Sequence, residues 1–144
     1  MPSAKENRRQ ARVHAVQQLY AREMRGLLAP GAGDTADAGG PGEEPSPFAG
    51  ELLAQALANL AEIDRLLSAA LQNWDLRRLG AVDRAILRLA VAEMMARPDI
   101  PAAVTINEAI EIARSLGEQE SARFANGVLD RVRKELGRDP RATG

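Results

Sequence analysis

Three arginines near the start of the chain are the residues best suited to binding an anion. Arg8, Arg9 and Arg12 occupy positions i, i+1 and i+4, so Arg8 and Arg12 share one helical face with Arg9 beside them. A guanidinium group suits phosphate and also stacks on unpaired bases. The opposite, buried face would consist of Ala11, Ala15, Val16 and Leu19. The pattern predicts a phosphate-binding face, although a charge run is also typical of a merely solvated helix face.

Catalytic and metal-binding chemistry finds little support in the composition. The chain has no Cys, which excludes a thiolate nucleophile and a thiolate metal site, and its single histidine, His14, excludes a histidine-rich metal site. A nucleophile paired with histidine would have to be built around that residue on the basic first helix. Glu108 and Glu111 share a helix face but lack a further ligand at suitable spacing. We therefore expect no catalytic residues, no metal and no cofactor.

A second candidate group lies in the stretch RFANGVLDRV, residues 123–132. Arg123 precedes Phe124, and an arginine beside an exposed aromatic ring is typical of base stacking, although Phe124 would equally suit the core. Asn-Gly favours a turn, yet apolar residues recur here at helical spacing. We interpret Gly127 as a point where a second helix crosses closely. The amide of Asn126 would then project from another side and bind either a backbone group or a ligand.

Charge is distributed unevenly along the 144 residues, although the formal net charge is −1. Residues 1–25 carry six basic and two acidic side chains, and residues 123–144 carry six basic and three acidic ones. Residues 26–64 carry seven acidic side chains and no basic one. Two basic ends predict an anionic partner. Neither a membrane-spanning apolar run nor a signal peptide is recognisable, so we expect a soluble cytoplasmic protein.

The elements that position these residues are predicted to be helices. Patterns typical of a capping box begin at Ser3, Asn59 and Thr105, and Ser46-Pro47 is typical of a helix start. Gly117 stands where a helix that begins at Thr105 would need a left-handed stop. The predicted helices cover residues 4–25, 47–58, 60–73, 81–96, 105–116 and 121–137, with a short turn of helix within 74–80.

The segment 81–96 is predicted to be the central helix, because apolar residues cover most of its sides. Its few polar residues are interpreted as caps and ion pairs: Asp83, Arg84, Arg88 and Glu93. Among the four aromatic residues, Phe48 and Trp74 are expected in the core. The sequence therefore predicts an all-α fold.

The Gly/Pro-rich stretch 30–47 is predicted to be a disordered loop inside a single domain of residues 1–144, because it cannot bury enough apolar surface to order itself. It contains GAGDTA, which matches a relaxed dinucleotide-binding fingerprint. We regard that match as accidental, because no strand precedes it and no βαβ unit surrounds it.

Four stretches, in this order, resemble the NusB family of bacterial transcription antitermination factors: RRQARVHAVQQLY, VDRAILRLAVAEM, DIPAAVTINEAIEIARSLG and FANGVLDRV. The resemblance implies an all-α fold of about six to seven helices in two small packed bundles, with no catalytic activity. It implies that the protein pairs with ribosomal protein NusE and binds single-stranded boxA-type RNA in ribosomal RNA leaders. It further implies that the protein promotes processive transcription by RNA polymerase together with other Nus factors.

The resemblance also implies roles for individual residues on the RNA side. The arginines at the start of the chain match the arginine-rich segment with which the family contacts RNA, although Gln10 stands where relatives often have another arginine. Phe124 matches an aromatic position near the RNA surface, and Glu120 matches an acidic position that would weaken RNA binding by repulsion. The expected RNA-binding residues are Arg8, Arg9, Arg12, Arg123, Phe124 and Asn126.

On the protein side, the resemblance implies that Tyr20 and Asp83 contact NusE. A ribosomal protein is basic, and a carboxylate near a helix start accepts charge-assisted hydrogen bonds from arginine or lysine. The position that matches Asp83 is acidic in the family and lies at that interface, with the aromatic position of Tyr20 close by.

Two other classes of function stay open at this point. One is a helical module that binds only protein, and the other is a ribosomal RNA folding or assembly factor that acts without RNA polymerase. NusB-like domains also occur fused to RNA cytosine methyltransferases, but that activity needs a cofactor domain for which these 144 residues offer no segment. The preferred RNA sequence and the choice between monomer and homodimer also stay open.

Overall fold

The computed structural model describes residues 4–28, 46–72, 75–118 and 120–141, with side chains from Arg8 onward. Within these ranges the chain forms six α-helices, one short 3-10 helix and no strand, which confirms the all-α prediction. The α-helices are α1 (Ala4–Met24), α2 (Pro47–Ala58), α3 (Leu60–Leu71), α4 (Ala81–Ala96), α5 (Ala102–Leu116) and α6 (Ser121–Glu135). The 3-10 helix, Leu76–Arg78, precedes α4.

Helix α4 is the central helix, as its sequence predicts. Helices α1 and α2 pack on each other and on α4, while α5 and α6 pack on each other and on α4. Helix α3 packs on α6 and α4. Ten of the 16 residues of α4 are buried, in an unbroken run from Ala85 to Met94. The fold is therefore two small bundles that share α4 as a common member.

The predicted start of α2 is confirmed, but that of α3 uses a different contact. Ser46 Oγ accepts a hydrogen bond of 3.3 Å from the amide of Ala49, and Pro47 occupies the first helical position. Asn59 stands at the N-cap of α3, yet its Nδ2 donates to the carbonyl of Gln55 in α2 at 3.1 Å. The predicted side-chain cap at Asn59 is therefore wrong. Ser3 lies outside the described residues.

Helix α5 begins at Ala102, three residues earlier than predicted, so the expected cap at Thr105 is wrong. Thr105 lies inside the helix, where its hydroxyl donates to Glu93 Oε2 at 2.6 Å. A free backbone amide in the first turn of α5 is satisfied instead by a residue near the C-terminus, because the amide of Ala103 donates to the carbonyl of Pro140 at 2.8 Å. A contact distant in sequence thus replaces the local cap.

Two glycines have roles that differ from those predicted. Gly117 ends α5 with a φ of −87°, which is not left-handed. A Cβ atom there would lie 2.6 Å from Oδ1 of Asp83 and 2.9 Å from Cβ of Ser121, so glycine allows a close approach. Gly127 is exposed on α6, and a Cβ atom there would meet nothing within 4 Å. The predicted helix crossing at Gly127 is therefore wrong.

Several predictions fall on residues that the structure does not describe. Residues 30–45 and Trp74 lie outside the described ranges, so most of the disordered loop and the core position of Trp74 stay predictions. The end of that predicted loop is wrong, because Ser46 and Pro47 are the N-cap and the first residue of α2. Phe48 is only half-buried, at the side of the core. Within the described ranges no helix is long and apolar enough to cross a membrane.

Candidate nucleic-acid interface

The three arginines at the start of α1 have different surroundings. Arg8 is exposed, the side chain of Arg9 is 47% exposed, and that of Arg12 is 7% exposed. The predicted buried face of α1 is confirmed and consists of Ala11, Ala15, Val16 and Leu19. Only two of the three predicted arginines therefore present themselves at the surface.

Arg12 is held between two buried carboxylates. Its Nε and Nη2 donate to Glu93 at 2.7 and 2.8 Å, and its Nη1 donates to Glu108 at 3.2 Å. Glu93 also accepts the hydroxyl hydrogen bond of Thr105. Buried charges need such compensation because their desolvation is costly. Arg12 thus ties α1 to α4 and α5, and its contact with RNA stays a prediction.

At the surface, Glu108 binds one edge of the Arg9 guanidinium group, the edge formed by Nε and Nη2. Its Nη2 lies 2.5 Å from Oε2 of Glu108, and its Nε lies 3.3 and 3.2 Å from the two carboxylate oxygens. This hydrogen bond, aided by the opposite charge, raises the pKa of Arg9. The Nη1 group is left without a partner among the described residues. A fixed guanidinium that keeps free donors is suited to an incoming phosphate.

Phe48 organises the arginines from the other side, a role that the sequence did not reveal. The guanidinium carbons of Arg8, Arg12 and Arg97 lie 5.5, 5.3 and 5.4 Å from the centre of its ring. These distances are within cation–π range. The helix start at Ser46-Pro47 places Phe48 in the first turn of α2. That helix start is the one feature of the sequence that could have indicated the position of Phe48.

Arg97 stabilises this cluster without adding free charge. It donates to Asp99 at 2.9 and 2.8 Å and to Glu51 at 3.4 Å. The hydrogen bonds from Arg97 lower the pKa of Asp99 to about 2. Arg8, in contrast, forms no ion pair within the described part of the chain. Its charge is therefore the least compensated of this cluster.

A surface cleft of about 510 Å³ lies between α1 and α5 beside these arginines. Arg8 and Arg9 stand on the α1 side, and Val104 and Asn107 stand exposed on the α5 side. The sequence did not single out Val104, which preceded the predicted start of α5, or Asn107, which lay in its predicted first turn. Only the packing of α5 against α1 brings them next to the arginines.

The three residues of α6 that were predicted to bind RNA, Arg123, Phe124 and Asn126, differ in their exposure. Arg123 and Asn126 are exposed, and within the described ranges neither side chain has a hydrogen-bond partner. Phe124 is half-buried against the core and lines a depression of about 330 Å³ that also contains Asp83 and Glu120. A residue predicted to bind RNA and one predicted to bind protein therefore share one depression.

Asp83 lies in the first turn of α4, as predicted, and is half-buried. Its Oδ1 is buried and accepts no hydrogen bond within the described part of the chain. Tyr20 is 38% exposed on α1. Glu23, one turn beyond Tyr20, pairs with Arg84 at 2.9 Å, which brings this end of α1 to the start of α4. Tyr20 and Asp83 therefore lie near the same helix junction.

The remaining polar residues of α4 form the ion pairs that their positions predicted. Glu23 accepts hydrogen bonds from Arg84 and Arg88, each at 2.9 Å. Arg88 also donates to Asp64 at 2.9 and 3.0 Å. These arginines, Arg84 foremost, lower the pKa of Glu23. The network ties α1, α3 and α4 together.

The other titratable residues that the sequence singled out, His14 and Glu111, form no recognisable metal site in the described part of the chain. Within the described ranges no group of three or more His, Cys, Asp or Glu side chains is placed to hold a metal ion. His14 lies next to Gln18, at 3.5 Å between their Nε2 atoms. Glu111 pairs with Arg114, whereas Glu108 pairs with Arg9 and Arg12. The arrangement is one of fixed cations at a helical edge, which is a kind of surface suited to anions.

An all-helical protein with an arginine-lined edge is the class that this fold and site define. The sequence model of the NusB family matches residues 9–134, and the chain belongs to that family. Over 131 residues it is 44% identical to the transcription antitermination protein NusB of Bacillus mycoides, an alignment that covers 90% of this chain and 98% of the relative. The predicted family is thereby confirmed, and as a member of it the chain is not an enzyme.

Solved structures share the fold. NusB of T. maritima is 34% identical, with a TM-score of 0.70 and coverage of 94% of each chain. A chain from the crystal structure of antitermination factors NusB and NusE in complex with dsRNA is 22% identical, with a TM-score of 0.70 and coverage of 92% of this chain and 99% of that chain. At that identity the likeness concerns the fold alone. The predicted NusB-like arrangement of helices is confirmed.

Proposed function

We propose that this chain is a transcription antitermination factor that binds single-stranded boxA-type RNA in ribosomal RNA leaders. It does so as a pair with ribosomal protein NusE, and the pair promotes processive transcription by RNA polymerase together with other Nus factors. Its place of action is then the cytoplasm. The protein contributes binding and positioning, with no cofactor.

The observation that carries the RNA part of this proposal is the fixed placement of Arg8 and Arg9. Both guanidinium groups reach the surface at one edge, Arg8 against the ring of Phe48 and Arg9 against Glu108. Each is oriented by the protein before any ligand arrives, which reduces the entropy lost on binding. In this proposal the buried Arg12 contributes by fixing the positions of Glu108 and Phe48, which in turn orient Arg9 and Arg8.

Arg123 and Asn126 on α6 extend the proposed RNA surface. Both are exposed side chains without internal hydrogen bonds in the described ranges, so a ligand can bind them without breaking contacts within the protein. Phe124 is half-buried, which leaves part of its ring for contact with a base. Glu120, exposed at the start of α6, adds a negative charge that weakens the approach of phosphate.

The proposed NusE surface is the junction of α1 and α4. Tyr20 offers an exposed ring with a polar tip, the kind of residue that is enriched in protein interfaces. Asp83 offers a carboxylate to a basic partner. The proposal also takes support from the solved complex of relatives that contains NusB, NusE and RNA.

Fluorescence anisotropy with a labelled single-stranded boxA-type RNA tests the RNA part of the proposal. We expect binding by the protein alone and tighter binding when NusE is added, because two proteins that bind one RNA together gain affinity through linkage. An RNA duplex of the same sequence serves as the comparison, since the solved complex of relatives contains dsRNA. The absence of binding to either RNA, with and without NusE, would indicate a module that binds only protein.

A transcription assay tests the polymerase part. RNA polymerase, the other Nus factors and NusE are combined on a boxA-containing template with a downstream terminator. We expect read-through to fall when this protein is omitted. RNA binding without any effect on read-through would instead indicate a factor of ribosomal RNA folding or assembly.

A further inference from the structure

We propose that the cleft between α1 and α5 is a subsite for one unpaired RNA nucleotide, in which Val104 packs against the base and Asn107 recognises its edge. This inference rests on the proposed RNA-binding function and adds sequence discrimination to it. The cleft, defined by the α1 arginines and by Val104, Asn107 and Glu111 of α5, measures about 510 Å³. That volume falls within the range of roughly 300 to 1,000 Å³ that is typical of ligand clefts.

The α5 wall presents one continuous helical face to the cleft. Val104, Asn107 and Glu111 follow each other at intervals of three and four residues, so their side chains are neighbours along α5. Arg9 faces this wall from α1, and Glu108 joins the two helices beneath the cleft. The position of the wall relative to the arginines is therefore fixed by an ion pair and does not depend on a loop.

The α1 wall supplies the donors that a phosphate needs. A guanidinium group carries five N–H donors, and Glu108 engages Arg9 only through Nε and Nη2. The two hydrogens of Nη1 are left for a ligand. Arg8 adds a second guanidinium that forms no ion pair in the described part of the chain. Two oriented cations at the mouth of one cleft suit the backbone of a nucleic acid.

The α5 wall supplies contacts that a phosphate alone would not use. Val104 is 43% exposed, which leaves a branched apolar side chain among charged neighbours. Asn107 is exposed, and its amide has no hydrogen-bond partner within the described ranges. An amide offers both donors and an acceptor, the combination that pairs with the edge of a base. Apolar area and an amide beside two arginines therefore match an unpaired nucleotide.

Two carboxylates line the cleft, and both oppose a phosphate: Glu108, which is paired with Arg9 and Arg12, and Glu111. The carboxylate of Glu111 pairs with Arg114 one turn further along α5, at 2.5 Å, which offsets its charge. The repulsion is further reduced because Arg8 and Arg9 stand on the opposite wall. The balance of charge at the mouth of the cleft thus favours an anion on the α1 side and a neutral base on the α5 side.

The substitution Val104→Asp tests the base contact. Fluorescence anisotropy with a labelled 12-nucleotide single-stranded boxA-type RNA should show affinity lower by about tenfold, because base packing is lost and a charge is added. The matched control is Met24→Asp, which adds the same charge to an apolar residue that is 55% exposed near the other end of α1. It should change the RNA affinity of the isolated protein less than about twofold. Both variants alter exposed residues, and their melting curves should match that of the wild type.

The substitution Asn107→Ala tests recognition of the base edge. A set of RNAs in which each position is changed in turn to the other three bases should show discrimination at one position that falls by about fivefold in the variant. The salt dependence of binding should stay unchanged, because no phosphate contact is lost. Arg9→Ala should do the reverse, lowering the salt slope by about 0.7 and preserving the base preference.

Failure of this inference is distinct from failure of the proposed function. If the wild-type protein binds the RNA while Val104→Asp and Asn107→Ala bind it with unchanged affinity and base preference, the cleft is not a nucleotide subsite. If the wild type binds no RNA, both proposals are overturned. Sedimentation velocity tests whether the cleft instead binds a second copy of this chain. A change in the oligomeric state of Val104→Asp, with RNA affinity unchanged, would assign the cleft to that second copy.

Discussion

Arg12 and Glu93, which are 81 positions apart in the chain, form a buried two-point ion pair at 2.7 and 2.8 Å. The pair joins the start of α1 to the end of α4, and Glu108 completes it from α5. One guanidinium thus holds together three helices next to the proposed RNA surface. The same cluster places Glu108 under Arg9, so the stability of the fold and the geometry of the site have a common origin.

Arg12→Ala should lower the free energy of unfolding by about 3 to 5 kcal/mol, because it leaves Glu93 with an uncompensated buried charge. Urea unfolding followed by circular dichroism measures this change. The control is Arg65→Ala, which removes one member of an exposed ion pair with Glu62 on α3 and should have little effect. Equal stability of the two variants would mean that the buried pair contributes nothing specific to the fold.

Gly117→Ala should destabilise the protein by about 1 to 3 kcal/mol through overpacking. The added methyl group would lie 2.9 Å from the carbonyl oxygen of Ala113, which is backbone and has little freedom to move. Gly127→Ala is the matched control and should instead stabilise by about 0.5 to 1 kcal/mol, since alanine favours the helix and the site is open. Thermal unfolding of both variants decides the matter, and a stabilised Gly117→Ala would contradict the close approach.

Glu23→Gln should lower stability at pH 7 by about 1 to 3 kcal/mol, because charge-assisted hydrogen bonds from Arg84 and Arg88 are weakened. The folded pKa of Glu23 lies below its ordinary value of 4.5. Its contribution is therefore present above pH 4.5 and declines as the pH falls below that value towards the folded pKa.

The difference between wild type and Glu23→Gln should accordingly shrink when urea unfolding is repeated at about pH 3. Glu62→Gln serves as the control, since its pair with Arg65 is exposed and should matter little at either pH. A difference for Glu23→Gln that stays constant between the two pH values would show that its carboxylate is not the group responsible.

Arg8→Ala should weaken binding of single-stranded boxA-type RNA and reduce the slope of log affinity against log salt by about 0.7. The fold should be unaffected, because Arg8 is exposed and its described contact is with the ring of Phe48. Anisotropy titrations at several salt concentrations provide the slope. Arg65→Ala, an exposed arginine on α3, should leave the slope unchanged, and a similar loss in both variants would indicate a diffuse effect of net charge.

Asp83→Asn should weaken association with NusE while it leaves RNA binding by the isolated protein unchanged. Asparagine preserves the shape of a side chain whose Oδ1 is buried near Gly117, whereas a lysine there would disturb the packing. Tyr20→Ala should have the same selective effect from the α1 side of the junction. Calorimetry with NusE and anisotropy with RNA separate the two activities, and a parallel loss of both would place these residues outside a dedicated partner surface.

The sequence by itself determined which segments are helices, which of their faces are buried and which helix is central. Apolar residues at intervals of three and four predicted the buried face of α1, and Ser46-Pro47 predicted the start of α2 correctly. These features depend on neighbours within about one or two helical turns, so local spacing contains the information. The ordered motifs also identified the family.

The tertiary structure alone decided which polar groups meet. Arg12 looks like a surface arginine in the sequence, and Thr105 looks like a helix cap, yet both side chains bind the buried carboxylate of Glu93. The close approach that the sequence placed at Gly127 is found at Gly117 for the same reason, because a close approach depends on the neighbouring element. A residue's partner across 81 or 99 positions of chain follows from how the helices pack. Local spacing cannot specify that packing, and so the α1–α5 cleft became visible only in the folded protein.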